Sequence, residues 1–574
     1  MLKGRHTTTL KRHLESHTKE YKEYLDFNQS NSSITKFCVT SPSLHSLSSK
    51  DSAEKVILDL FSFTPIRFNI VEDEHFKNLI NTLSTGMQII TPSRFKLREL
   101  FLKRVYSLEK SLRNKLINRK ITISTDIWSQ KNLLHSYLGL TCQFFDFEEG
   151  NIQNFAIDLV EITGSHTAVK IHDIVSNSLD NLRLKDSDIM RIITDQGANM
   201  VSAFKCKNYM IENENNSDES TENESIPLGQ LKVKRISCFA HILNSSLKAI
   251  FDKKTHESSS FKKNILTFSN RINQSSQKVE FLKGISNKRL LKYSNTRWNC
   301  FYLLIQRIKD LKDDIIKVSA EFDLPINFMW QEVDKYIEIL KPFQAGTDLV
   351  QNDFLSISRV LPIIIGLLEH MELMAVKFPE YSELLIELKD HFSKKTGFIN
   401  DTNHQHFDEI YLLATMLDPV SSAELTDEYF KKGKSALEDF ARKYYLAQSS
   451  MQQDNDHIIS IDQSPVHKII RRSFKKEKTQ PQNPIDLELI QYLNLLDSGN
   501  FWNISNPIDF WKINNQMVLL SKLALEILSV PATSSSAERL FSIAGYLSSG
   551  RRASISPFLL RDRVLCLYNK KFFK

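Results

Sequence analysis

The chain is short of the features that most readily assign a protein to a class. Its six cysteines lie at 38, 142, 206, 238, 300 and 566, and no two form a C-x-x-C pair. That scatter speaks against a disulfide framework and fits free thiols in a reducing compartment. No apolar run is long enough to span a bilayer and no signal-peptide pattern opens the sequence, so a soluble intracellular protein is expected. Glycine and proline number only 15 each in 574 residues, which excludes collagen-like and low-complexity classes. Solenoid-type repeats are missing too. The charge excess is small: +7, with a pI near 8.8. It permits an anionic partner without demanding one.

What is present is ample core material. Hydrophobic residues make up 41% of the chain and there are 36 phenylalanines, enough for several domains. The first segment, 1–27, contains a short basic helix candidate carrying His13 and His17 at i, i+4. That spacing suits a pair of zinc ligands, but a structural zinc site needs four and no cysteine lies upstream. Two solvated histidines on a basic helix are the simpler expectation. Residues 28–52 are rich in Ser, Thr and Asn and read as a flexible linker. Over 53–119 the period turns helical, with a break at Pro92-Ser93-Arg94. This reads as a small helical domain, DNA-binding or dimerising, with Lys and Arg on its polar faces.

At Ile121 the period changes from helical to alternating. Ile121, Ile123, Thr125 and Ile127 point one way; Thr122, Ser124, Asp126 and Trp128 point the other. Further strands are expected at 136–145, 154–162, 189–194 and 234–239. Helices are expected at 167–182, 198–204 and from His241. Strands followed by alternating helix and strand make an α/β pattern with a mixed sheet over 120–255. Residues 212–225 read as a polar surface loop. The stretch 256–485 reads as a helical insertion ending in a polar segment, 447–485. That segment holds a basic cluster at Lys468, Arg471, Arg472, Lys475, Lys476 and Lys478. Such a cluster contacts phosphates or is simply solvated. Helices resume over 486–574. There Pro531 ends one helix, and the Ser535-x-x-Glu538 spacing of a capping box starts another. Ala537, Leu540, Phe541 and Ala544 form its buried stripe.

Two aspartates, Asp126 and Asp195, fall at or near strand ends within one expected sheet. Chemistry in open α/β sheets gathers at the carboxyl ends of strands, although many such aspartates merely cap a helix. A third carboxylate on a helix packed against that sheet would complete an oxygen-rich site for Mg²⁺ or Mn²⁺, suited to phosphodiester displacement. Glu538 is a helix cap on local grounds and that third carboxylate on wider ones.

Five motifs occur in order: Thr125–Ser129 (TDIWS), Thr194–Met200 (TDQGANM), Cys238–His241 (CFAH), Asn295–Asn299 (NTRWN) and Pro531–Ser542 (PATSSSAERLFS). Together the chain resembles the hAT superfamily of DNA transposases. Pro92-Ser93-Arg94 and Met416–Pro419 (MLDP) are also similar to that family. The first segment resembles the end of a BED-type zinc finger whose C-x2-C half is absent, so zinc is not expected to be bound.

The resemblance implies an α/β plus all-α protein: an RNase H-like mixed sheet interrupted by a long all-helical insertion, with an N-terminal helical domain. It implies Asp126, Asp195 and Glu538 as catalytic metal ligands for Mg²⁺ or Mn²⁺. Arg297 and Trp298 would lie near the active site, the tryptophan stacking on an extruded base or else packing in the core. Cys238 and His241, similar to the family's C-x2-H motif, would have a structural or DNA-positioning role near the site. The expected activity is cleavage and strand transfer of transposon ends by a nuclear homodimer or higher homo-oligomer. A domesticated or decayed descendant would be a dimeric DNA-binding regulator without catalysis.

Overall fold

A computed structural model describes residues 50–83, 90–130, 135–204, 233–253, 256–294, 299–351, 356–453, 484–498, 506–514, 516–548 and 555–573. His13, His17, Arg297, Trp298, the polar loop 212–225 and the basic cluster 468–478 lie outside these residues. The chain divides into two compact units, Met1–Ser107 and Leu108–Lys574.

In the first unit, helices Lys50–Phe63 and Glu74–Leu83 accompany the start of a third, Arg94–Leu116. Phe61 and Phe68 are buried and stack at 6.1 Å, with Phe76 edge-on to Phe61. Arg104 ties the core to Asp59 at 2.6 Å. The break at Pro92-Ser93-Arg94 is a helix start, where Ser93 Oγ accepts the Lys96 amide.

The second unit is built on one mixed sheet of five strands in the order β3-β2-β1-β4-β5. These are β1 (Ile121–Ser129), β2 (Ser136–Asp146), β3 (Asn151–Ile162), β4 (Ile189–Thr194) and β5 (Arg235–Ser237). β1–β2 and β2–β3 are antiparallel; β1–β4 and β4–β5 are parallel. β5 is shorter than its alternation predicts because the next helix, Phe239–Phe251, begins two residues before His241.

The alternation in β1 separates two faces, and both are covered. Thr122, Ser124 and, opposite them, Gln143 and Thr141 are buried on the polar face. Their roof is the helix Ser535–Ser548 with the turn before it. Thr141 Oγ1 meets Ser536 Oγ at 2.7 Å, and Gln143 donates to the Ser529 carbonyl at 2.9 Å. A Cβ on Gly139 would stand 2.6 Å from the Phe541 ring, so only glycine lets the helix lie this close. A last helix, Pro557–Tyr568, packs against β3 and the roof helix. Beyond it, Asn569 donates to and accepts from the Ala156 backbone, both at 2.9 Å. That satisfies backbone groups of the edge strand β3.

Between β5 and the roof the described chain is helical. The core runs without a break from Ile193 and Ile236 of the sheet through these helices to Ala532. Met416–Pro419 is a buried knot in this body. Asp418 caps helix Pro419–Ser422, while Leu417 and Met416 carbonyls accept from Trp511 Nε1 (2.7 Å) and Tyr492 OH (2.8 Å). The helix Asp427–Gln453 overruns the polar boundary expected at 447; its apolar stripe at Leu437 and Ala441 anchors it and the polar turns extend from there. Among the described residues no helix is long and apolar enough to cross a membrane.

Candidate functional site

β1 and β4 run parallel, with Ser124 beside Ile193. Two residues further along lie Asp126 and Asp195, on adjacent strands at one end of the sheet. Asp195 follows the end of β4, whereas Asp126 lies three residues inside the end of β1, where pairing with β4 has already stopped. Asp126 pairs with Gly139, so its side chain shares the face roofed by the helix that carries Glu538.

The electrostatics follow from this crowding. Burial, reinforced by the Asp195 and Glu538 charges, pushes the Asp126 carboxyl up to about 7, against the Ile127 amide and His241. The Ile127 amide donates to Asp126 Oδ1 at 2.7 Å. Asp195 Oδ1 accepts the Gly197 amide at 3.1 Å; a Cβ at position 197 would come within 3.2 Å of the same oxygen. Glu538 lies in the first turn of the roof helix. That helix starts one residue earlier than a Ser535 cap would place it, because the Ala537 and Glu538 amides both reach the Ser534 carbonyl. The expected stripe is buried: Ala537, Leu540, Phe541 and Ala544.

The C-x2-H pair opens the helix Phe239–Phe251. Cys238 is a buried junction. Its amide donates to the Thr194 carbonyl at 2.8 Å and its sulfur accepts the Ser534 amide at 3.4 Å, while the Phe239 amide reaches the Ala532 carbonyl at 2.9 Å. It thus fastens the turn before Glu538 to the end of β4. Ser356 adds a second clasp by accepting the Ala532 amide at 2.7 Å. His241 is pushed up to about 9 by its hydrogen bond to Cys238 and, against the cost of burial, by the charges of Cys238, Asp126 and Asp195. Its ring thus lies within reach of the charges of both aspartates.

Asp126, Asp195, Glu538, Cys238 and His241 therefore gather at one end of the sheet. Two further residues join them that the sequence reading passed over. Arg235 donates to Thr194 Oγ1 at 2.7 Å and to the Asp195 carbonyl at 2.5 Å. Lys395 reaches the same place from helix Ser382–Asn400. Arg235 carried one signal, its position three residues before Cys238. Lys395 carried none, being the last of three lysines on a mostly polar helix.

A hard divalent cation suits carboxylate donors, and one held here would relieve the crowding that raises Asp126. Among the described residues, no three His, Cys, Asp or Glu side chains stand close enough to enclose one ion. The donor set fits such an ion in chemistry, since Asp126, Asp195 and Glu538 are all carboxylates.

Residues 476–568 match the hAT family C-terminal dimerisation region. The resemblance read from the PATSSSAERLFS stretch thus holds over the part of the chain that includes Glu538. The chain is 24% identical over 546 residues to tpeD of Talaromyces stipitatus, named as a candidate transcriptional regulator, covering 88% of this chain and 60% of tpeD. It is 21% identical over 343 residues to zinc finger BED domain-containing protein 4 of Homo sapiens, covering 56% of this chain and 28% of that protein. The chain thus spans well under two thirds of either relative.

Proposed function

We propose, for a chain that carries the hAT C-terminal dimerisation region, that it is a DNA transposase of hAT type acting through Asp126, Asp195 and Glu538. The observation that carries this reading is the convergence of three carboxylates from distant parts of the chain. Asp126 lies in β1, Asp195 just past the end of the parallel β4, and Glu538 on the helix that roofs that face. The strand order, with three antiparallel strands continued by two parallel ones, supports an RNase H-like sheet interrupted by the helical insertion.

Asp126 and Asp195 would hold Mg²⁺ or Mn²⁺, with Glu538 as a further carboxylate on the roof helix. An ion held there would supply activation of the attacking oxygen and charge stabilisation for phosphodiester displacement. The protein's own groups hold the geometry. The Ile127 and Gly197 amides fix the two aspartates, and the Cys238 junction keeps the Glu538 helix over them. The His241 ring, among the charges of the two aspartates, offers a donor to a DNA phosphate. The C-terminal region supports a homodimer or higher homo-oligomer, and a DNA substrate supports a nuclear location.

A second reading, a DNA-binding regulator without catalysis, is favoured by one comparison: the fungal relative is named as a regulator. One assay separates the two. Wild-type protein and Asp195→Asn are incubated with plasmid DNA and Mg²⁺ or Mn²⁺, and strand breaks with 3′-hydroxyl ends are counted. Metal-dependent breaks in the wild type alone support the transposase. Equal behaviour of the two proteins would falsify catalysis and leave the regulator.

A further inference from the structure

A cleft of about 660 Å³ is lined by Asp195 and by three basic side chains. Arg235 comes from β5, His241 from the first turn of helix Phe239–Phe251, and Lys395 from helix Ser382–Asn400 in the insertion. Three separate stretches thus place two cations and an imidazole around a single space.

The three basic side chains are not equally engaged. Arg235 is committed to Thr194 and to the Asp195 carbonyl. His241 faces the two aspartates. Lys395 is half-buried and burial pulls its ammonium down, yet among the described residues it meets no carboxylate. Its partner is the Ser245 hydroxyl at 2.8 Å, itself on the cleft wall. A partly desolvated ammonium that meets a hydroxyl but no carboxylate directly is costly unless an anion visits it. The N-terminus of the 13-residue helix Phe239–Phe251, which carries His241, adds positive potential at the same wall.

We infer that this cleft is a subsite for one backbone phosphate of a DNA strand, and that Lys395 brings the helical insertion into direct contact with substrate. The inference rests on the reading of the chain as DNA-acting, and it concerns binding rather than the chemical step. An anion here lies next to Asp195, so the strand would be led to the carboxylates by cations rather than repelled by them. Lys395 is a binding residue in this account and takes no part in bond breaking.

The test is done in EDTA with the full chain, so it is independent of catalysis. A short fluorescent single-stranded oligonucleotide is titrated by anisotropy at several salt concentrations. Wild type is compared with Lys395→Gln, Lys395→Arg and, as a neighbouring control, the exposed Lys394→Gln. Loss of one single-strand phosphate contact lowers the slope of log K against log salt by about 0.7. Lys395→Gln is expected to show that reduced slope and roughly fivefold weaker binding at low salt; Lys395→Arg and Lys394→Gln are expected to stay within about twofold of wild type. The inference is overturned if Lys395→Gln binds like wild type, or if Lys394→Gln loses as much. A protein that cuts DNA while Lys395→Gln binds normally would reject this subsite alone. One that needs Lys395 for binding but makes no breaks would reject catalysis alone.

Discussion

Asp418 and Asp126 are two aspartates set deep in the same unit, and they differ in what surrounds them. Asp418, in the helical insertion, is fully buried and accepts from Val420 and Ser421 amides and from Ser358 and Ser421 hydroxyls, the last two at 2.8 Å. Its charge is spread over four donors, and three helices meet around it. Asp126 has the Ile127 amide and, beyond it, two like charges that help push it up. A carboxylate that is saturated by donors holds a fold together. One that is desolvated and close to other carboxylates is a candidate for function. The contrast separates the two motifs, MLDP and TDIWS, into a knot and a candidate site, although sequence alone presents each as an aspartate in a short motif.

The largest effect expected from breaking this contrast is on activity. Asp126→Asn should lower metal-dependent strand breakage about a thousandfold, the ~4 kcal/mol that a metal-held transition state supplies, without lowering the thermal midpoint. Asp418→Ala should do the reverse. It leaves four buried donors without their acceptor and should cost on the order of 3 kcal/mol of stability in denaturant titration. Any activity then lost should return on cooling. If Asp126→Asn unfolds the protein and Asp418→Ala does not, the assignment of knot and site is inverted.

The alternation in β1, the helical stretch after β5 and the stripe Ala537–Ala544 were readable because each is local: a period of 2 or 3.6 needs only neighbours in the chain. The cover over the polar face of β1 was not readable in that way. Phe541 meets Gly139 some four hundred positions apart, and the sole trace is a glycine inside an otherwise apolar strand. The capping-box reading placed the helix one residue late because the Ala537 and Glu538 amides bond to the Ser534 carbonyl, and the Ser534 amide is taken by Cys238, nearly three hundred positions away. Arg235 and Lys395 show the same limit. A cation is recognised as part of a site only when the space it faces is known.

Gly139→Ala probes the contact between the two regions. The added methyl would overlap the Phe541 ring, with a cost of about 1–3 kcal/mol as the roof helix shifts. Since that helix carries Glu538, activity should fall more than Asp418→Ala makes it fall at matched stability. Calorimetry paired with the strand-break assay measures both. Equal activity loss per unit of lost stability in the two variants would mean that the roof does not position Glu538.

The smallest effect expected is a pH dependence, and it has a definite sign. His241 is raised from its ordinary 6.5 to about 9, first by its hydrogen bond to Cys238 and then by the charges of Cys238 and the two aspartates. A base raised on folding binds its proton more tightly in the native state. The stability it contributes is therefore complete below about 6.5 and is lost as pH rises through about 9. In chelator, the wild type should exceed His241→Asn by on the order of 1–2 kcal/mol at pH 6, a figure reduced from the full shift because the ring is partly exposed. By pH 9.5 the two melting curves should nearly coincide. A gap that persisted at pH 9.5 would mean that His241 stabilises the site by packing, and that the charge balance around Asp126 and Asp195 must come from Arg235 and Lys395.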